Sequence, residues 1–157
     1  MTENDISFII PVYNRPQEIK ELLESFTKLS SKKDFEIVII EDGSIDDCQG
    51  VIKNFNPQLT LSYYKKDNTG PGDSRNYGMK KAKGSYFIIL DSDCILPKDY
   101  MQHVMDNLNN NYVDCFGGVD ASHESFSDYQ KAVSFSMTSF LTTGGIRGGK
   151  YKKKLFQ

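Results

Sequence analysis

The amino-acid sequence predicts an α/β fold: a mostly parallel, doubly wound β-sheet with helices on both faces. Three observations lead there. Short β-branched and aromatic runs recur at Ile6-Ser7-Phe8-Ile9-Ile10, Phe35-Glu36-Ile37-Val38-Ile39-Ile40 and Tyr86-Phe87-Ile88-Ile89-Leu90, each too short for a helix and apolar enough to be buried on both sides. Between them, apolar residues return at helical spacing. Polar clusters follow directly on the strands, so chemistry-bearing side chains gather at one end of the sheet. Strands alternating with helices are the mark of parallel pairing through right-handed crossovers.

The first run is a buried strand bounded by Pro11. The turn Tyr13-Asn14-Arg15-Pro16 follows, and Ile19, Leu22, Leu23, Phe26 and Leu29 then mark a covering helix, with Asn14 as its expected N-cap and Pro16 in its first turn. The second strand leads to a weaker helix through Val51, Ile52 and Phe55, stopped by Pro57. A short third strand spans Leu59 to Tyr64. The turn-rich stretch Asp67-Asn68-Thr69-Gly70-Pro71-Gly72 enters a helix with Tyr77, Met79 and Ala82 that ends at Gly84. After the fourth strand, Pro97 is expected to open a helix carrying Met101, Val104, Met105 and Leu108. A fifth strand is expected around Cys115-Phe116-Gly117-Gly118, with one helix or two broken ones over 126–141. The arrangement is Rossmann-like, and ligands of such sheets bind beyond the carboxyl ends of the strands. Pro11 to Asn14, Glu41-Asp42-Gly43-Ser44 and Asp91-Ser92-Asp93 all stand at that rim.

Bulk properties exclude several function classes. At 157 residues the chain suits one ordinary domain, and a formal net charge of -2 makes no case for general nucleic-acid binding. Cys48, Cys94 and Cys115 are odd in number and form no Cys-x-x-Cys pair, which argues against a disulfide framework or a zinc site and fits a reducing cytoplasm. No apolar run approaches the ~20 residues of a spanning helix, and the Met-Thr-Glu-Asn-Asp start is unlike a signal peptide. The basic stretch Lys150-Tyr151-Lys152-Lys153-Lys154 is compatible with peripheral contact at the inner face of a membrane, and equally with simple solvation.

Two carboxylates at alternate positions past a buried strand aim the same way if the extension continues, and repel unless a cation or donor lies between them. Mg2+ or Mn2+, which takes one or two carboxylates plus phosphate oxygens and water, suits Asp91 and Asp93. The competing reading is a pair of solvated or helix-capping aspartates. Glu41 and Asp42 offer acceptors for a base N–H or ribose hydroxyls, against an Asx turn with Gly43 at positive φ. Arg75, opening the helix after Gly70-Pro71-Gly72, can meet an anion or form an ordinary surface pair. His103 and His123 are more simply surface residues than ligands.

These motifs together resemble the family 2 glycosyltransferases, with the glycosyltransferase A fold. The resemblance runs through Ile9-Ile10-Pro11-Val12-Tyr13-Asn14-Arg15, Ile39-Ile40-Glu41-Asp42-Gly43-Ser44-Ile45-Asp46, Asn68 to Gly78 and Leu90-Asp91-Ser92-Asp93. It implies a nucleotide-sugar site of Pro11, Tyr13, Asn14, Glu41, Asp42, Arg75, Asp91 and Ser92. Within it, Pro11 and Tyr13 border the base, Asp42 accepts from uracil or its equivalent, Arg75 lies by base and diphosphate, Asp91 touches ribose or metal, and Asp93 ligates the metal. Glu41 stands where aspartate is more usual. The implied reaction is metal-dependent transfer of a sugar from a UDP-sugar to a glycan or lipid-linked acceptor, with inversion; a homodimer is compatible with it. Residues 1–141 form the expected nucleotide-sugar-binding domain, and 142–157 a flexible glycine-rich and basic tail leading toward an acceptor-side segment. No catalytic base is assigned: Asp120, Glu124 and Asp128 are more simply solvated. The alternative is a non-catalytic nucleotide-binding module or inactive fragment. A nucleotidyltransferase would want a glycine- and lysine-rich loop after the first strand, and Pro11-Val12-Tyr13-Asn14 is not one.

Overall fold

The computed structural model describes residues 1–31, 34–117 and 127–139. The chain divides into two units, Met1–Tyr112 and Val113–Gln157. The first holds four parallel strands, β1 (Ile6–Val12), β2 (Glu36–Asp42), β3 (Thr60–Lys66) and β4 (Tyr86–Ile89), and four helices, α1 (Pro16–Thr27), α2 (Gln49–Lys53), α3 (Pro71–Lys81) and α4 (Tyr100–Asn110). The second holds α5 (Asp128–Thr138), a single helix where one or two were expected. Residues 115–117 form no strand, in contrast to the fifth strand expected there. Asp120, His123, Glu124 and the tail 142–157 lie outside the described residues, and Asp128 stands exposed in the first turn of α5.

Strand order is β3-β2-β1-β4. The chain moves outward from β1 to β2 to β3, then α3 returns it to the other side of β1, so the order reverses between β1 and β4. Strand period explains the two faces. Phe8, Ile10, Val12, Ile37 and Ile39 point to one face and pack with Ile19, Leu22, Leu23 and Phe26 of α1, Ile52 of α2 and Met101, Val104 and Leu108 of α4. Ile9, Val38 and Ile40 point to the other, against Tyr77 and Met79 of α3. Phe8 sits edge-on to Phe26 (centroids 4.8 Å apart) and to Phe35 (5.1 Å), the geometry aromatic quadrupoles prefer. At the opposite end from the rim, buried Glu36 accepts from Ser7 Oγ (2.9 Å), Ser62 Oγ (3.1 Å) and the Lys83 N–H (2.8 Å), tying the end of α3 to the sheet.

Three boundaries differ from the sequence reading. β1 continues through Pro11 to Val12. Ile9 bonds toward β4, its carbonyl accepting from Leu90 N–H, and Pro11 faces the same side beyond the last β4 pair, where a missing N–H breaks no ladder bond. β3 runs on through Lys65 and Lys66, which the end of the apolar pattern conceals. α4 begins at Tyr100, with Asp99 at the N-cap, rather than at Pro97. Ser25 Oγ accepts the Leu96 N–H (3.1 Å) and the Lys98 carbonyl accepts the Ser30 N–H (2.9 Å), holding the stretch after β4 extended along the end of α1.

At Gly78, α3 lies close against the sheet. A Cβ there would lie 2.6 Å from Ile9 Cγ2 and 3.1 Å from Ile40 Cγ1. Gly78→Ala should therefore lower stability in urea unfolding by about 1 kcal/mol, overpacking of about 1–3 kcal/mol exceeding the gain in helix propensity. A stabilised variant would mean that α3 does not pack this tightly.

Candidate functional site

The ends of β1, β2 and β4 and the start of α3 enclose a cleft of about 380 Å³, lined by Pro11, Val12, Tyr13, Arg15, Asp42, Pro71, Arg75, Asp91, Ser92 and Asp93. It lies at the reversal of strand order, where sheets of this kind leave a crevice between diverging loops. Seven of the nine residues singled out in the sequence line it: Pro11, Tyr13, Asp42, Arg75, Asp91, Ser92 and Asp93. Asn14 and Glu41 do not.

Asn14 and Glu41 have a different task. Asn14 is not the N-cap of α1; Arg15 takes that position, and no side chain caps the helix. Asn14 instead turns the chain at φ 52, its Oδ1 accepting the N–H groups of Ile45 (2.8 Å) and Asp46 (3.2 Å) while its own N–H donates to Ser44 Oγ (2.7 Å). Asparagine tolerates this left-handed conformation better than most residues. Glu41 is 1% exposed. Its carboxylate accepts from Ser44 Oγ, the Cys48 N–H (2.9 Å), Cys48 Sγ (2.9 Å) and the Tyr63 hydroxyl (3.0 Å). Burial and the neighbouring carboxylate push the Cys48 thiol and the Tyr63 phenol upward, so both stay protonated donors. The two residues form a clamp between the β1 and β2 loops, with Tyr13 (51% exposed) and Arg15 presented on either side of Asn14.

Asp42, 3% exposed, organises the next loop. It accepts from the Lys66 ammonium and from the N–H groups of Thr69 (3.0 Å) and Gly70 (2.9 Å), while Asn68 Nδ2 donates to its carbonyl (2.8 Å). Lys66 also meets Asp73 (3.3 Å), Thr69 Oγ1 and the Asp67 carbonyl (2.9 Å). Burial alone would raise the pKa of Asp42, but hydrogen bonding from Lys66, Thr69, Ser74 and Gly70 outweighs it and holds the carboxyl below its ordinary value. Burial likewise disfavours the Lys66 charge, and the carboxylates of Asp42 and Asp73 overcome that to raise it. Gly43 (φ 74) completes the packing: a Cβ there would lie 2.6 Å from the Asn68 backbone nitrogen.

Asp91 and Asp93 are placed otherwise. β4 ends at Ile89, and the chain turns at Ser92 and Asp93, so the strand alternation that would aim both carboxylates alike does not continue. Asp91 Oδ1 accepts from Arg75 Nη2 (2.8 Å), and Asp93 Oδ2 from Arg15 Nη1 (2.9 Å). Both carboxylates are more than half exposed, at 66% and 56%. Such pairs are worth about 0–1 kcal/mol and exchange partners readily. The buried Nε of Arg75 has no hydrogen-bond partner among the described residues. His103 pairs with Asp99 on the exposed side of α4, away from the cleft residues.

Comparison with known proteins decides the family. The profile of "Glycosyl transferase family 2" matches residues 7–155. The chain belongs to glycosyltransferase family 2. It is 40% identical over 100 residues to a glycosyltransferase of Rickettsia felis, covering 64% of this chain and 16% of the relative. It is 33% identical over 99 residues to the poly(ribitol-phosphate) beta-N-acetylglucosaminyltransferase TarS of Staphylococcus aureus, covering 61% and 17%. The crystal structure of TarS 1-349 with UDP-GlcNAc superposes with a TM-score of 0.65 at 26% identity, over 76% of this chain and 38% of that one. The chain thus spans about a sixth of the length of these curated relatives, and its parallel sheet is the α/β architecture of the family.

Arg15, Lys66, Val12 and Pro71 were not singled out from the sequence of this family member. Arg15 and Lys66 had a usable signal, since each is a cation immediately beyond or at the end of a parallel strand. Lys66→Met should cost about 2 kcal/mol at neutral pH, less than a deeply buried pair because the site is at the rim. Asp42, its pKa depressed, contributes stability fully above the ordinary value of 3.8 and loses it as pH falls through its lower folded value. Lys66, its pKa raised, contributes fully below 10.5 and loses it above its higher folded value. The difference between native and Lys66→Met in urea unfolding should therefore be flat across the neutral range and shrink at both extremes. A difference that stays constant into acid would show that the pair contributes nothing.

Proposed function

We propose that this chain is the donor-binding part of an inverting, metal-dependent hexosyltransferase that uses a UDP-sugar and delivers the sugar to a glycan or lipid-linked acceptor. The observation that carries the reading is a cleft at the sheet's order reversal that sets two exposed, arginine-paired carboxylates beside a buried one. TarS, the relative crystallised with UDP and with UDP-GlcNAc, supports a uridine nucleotide. Three free thiols suit a reducing cytoplasm, and no helix among the described residues is long and apolar enough to cross a membrane.

The donor set fits Mg2+ or Mn2+. Asp91 and Asp93 are hard oxygen ligands with loosely held partners, and among the described residues no group of three or more His, Cys, Asp or Glu side chains forms a complete cage. A cation held by these two aspartates would share its coordination with phosphate oxygens and water, as Mg2+ commonly does. When bound, it supplies charge neutralisation at the departing diphosphate. The chain's own residues do the rest of the binding. Asp42, whose carboxylate lines the cleft, is the acceptor offered to a base N–H. Tyr13 and Pro11 offer apolar surface to the ring, and Arg75, whose side chain is about a third exposed, brings its guanidinium to the anion. The proton of the attacking hydroxyl passes to a carboxylate supplied on the acceptor side.

Calorimetry with UDP, with and without Mn2+, compares the native chain with Asp93→Ala. The native chain should bind UDP about tenfold or more tighter with Mn2+, a gain of one to two charge-assisted contacts, and Asp93→Ala should lose that gain. Equal Mn2+-dependent binding by both would remove Asp93 from the metal site. A single-turnover assay with mixed UDP-sugars then separates an active donor domain from a non-catalytic nucleotide-binding module, which would bind without transfer or hydrolysis.

A further inference from the structure

The arginine pairs of the cleft point beyond the donor reading, on which this inference rests. Asp91 and Asp93 each hold one guanidinium at hydrogen-bond distance, Arg75 at 2.8 Å and Arg15 at 2.9 Å, and all four side chains line the same cleft. Each of these two pairs is neutral in itself, while the third lining carboxylate, Asp42, is paired with Lys66 behind it. A divalent cation arriving alone at both aspartates would set two guanidiniums loose beside it and leave the cleft with two uncompensated positive charges. A diphosphate arriving alone would draw the arginines away and leave both carboxylates without those partners. Arriving together, the cation and the diphosphate exchange partners with the protein: carboxylates to the cation, guanidiniums to the phosphates, with neutrality kept throughout.

We propose that Arg15 is a further donor-binding residue, which pairs with Asp93 in the arrangement seen here and passes to the donor's diphosphate when a divalent cation takes that carboxylate. Several observations favour Arg15 for this. It caps α1 by position, and its backbone carbonyl accepts the Ile19 N–H at 3.1 Å. Asn14, its neighbour, is fixed by three hydrogen bonds to the β2 loop. The backbone of Arg15 is thereby held while its side chain, half exposed, is tied among the described residues through Nη1 to an exposed partner. A planar guanidinium suits bidentate contact with phosphate oxygens and is less strongly hydrated than an ammonium. Each partner of the exchange must strengthen the other by the same factor, because linkage between binding free energies is reciprocal.

Arg15→Gln and Arg15→Lys test the exchange on the full chain. Binding of Mn2+ alone is followed by the loss of its free-ion paramagnetic resonance signal, and UDP is then titrated calorimetrically at saturating Mn2+. With Arg15→Gln, the affinity for Mn2+ alone should rise about three- to fivefold, as expected for freeing a carboxylate from one surface pair. The affinity for UDP should fall about tenfold or more, as expected for losing a charge-assisted contact. Arg15→Lys, which keeps the charge and loses the fork, should leave Mn2+ binding near native and weaken UDP less. Opposite shifts in Arg15→Gln are the signature of exchange. Both affinities falling together would mark a merely structural arginine, and neither changing would remove Arg15 from the donor site; either result overturns the proposal. Native binding of UDP that ignores Mn2+ would instead defeat the metal-dependent donor reading, and this inference with it.

Discussion

β1 sits inside the sheet with β2 on one side and β4 on the other, and that placement governs everything at the rim. A strand buried on both faces must be apolar at both parities, which is why Phe8 and Ile10 serve one layer while Ile9 serves the other. The chain leaves β1 toward β2 and β3 and must cross back through α3 to reach β4. Loops at the ends of β1 and β4 therefore diverge, and the crevice between them is the cleft. Gly78 permits this crossing to be tight, because α3 can rest directly on Ile9 and Ile40. A looser crossing would shift Arg75, which rides on the same helix, away from Asp91.

Four carboxylates at this rim divide by how they are held. Glu41 and Asp42 are buried, and their oxygens are engaged by hydrogen bonds from three segments of chain: the loop after β2, strand β3, and the loop after β3. They behave as framework, since removing any donor would strand a desolvated charge. Asp91 and Asp93 are exposed, and each is engaged by one arginine side chain. That division is what a binding site needs: groups that must not move are fixed by backbone N–H bonds, and groups that must change partners are held by weak surface pairs. Asp42 stands between the two classes, fixed by the 67–70 loop yet lining the cleft.

The sheet was legible because burial on two faces leaves continuous apolar runs, and β1, β2 and β4 lie where those runs lie. β3 was only half legible. It is an edge strand whose last residues, Lys65 and Lys66, face acidic neighbours rather than the core, so hydropathy stops before the ladder does. At the rim, residue type, the ends of strands and the start of a helix, joined to the family resemblance, brought seven of the cleft residues together. They could not tell that Asn14 and Glu41 face the protein rather than the cleft. For Asn14 that depends on Ser44, Ile45 and Asp46, on a loop about thirty residues away; for Glu41 it depends on how its own loop folds back to present Ser44 and Cys48, three and seven residues on. The strand alternation expected to aim Asp91 and Asp93 alike is lost for a related reason. β4 has no outer neighbour among the described strands, and nothing there holds the backbone extended past Ile89.

Family membership and the geometry meet at the charge balance of the cleft. A site for a diphosphate that carried only arginines would attract any anion, and one that carried only aspartates would repel the ligand. On the proposed reading, pairing each exposed aspartate with an arginine keeps both pairs neutral without ligand and reserves full engagement for a ligand that brings a cation and a diphosphate together. The proposed exchange requires that each arginine reach both its aspartate and the phosphates without moving its backbone. The clamp of Glu41, Ser44 and Asn14 meets that requirement for Arg15, and the packing of Gly78 meets it for Arg75. The structural residues at the rim thus act on recognition indirectly, through the two backbone positions from which the guanidiniums extend.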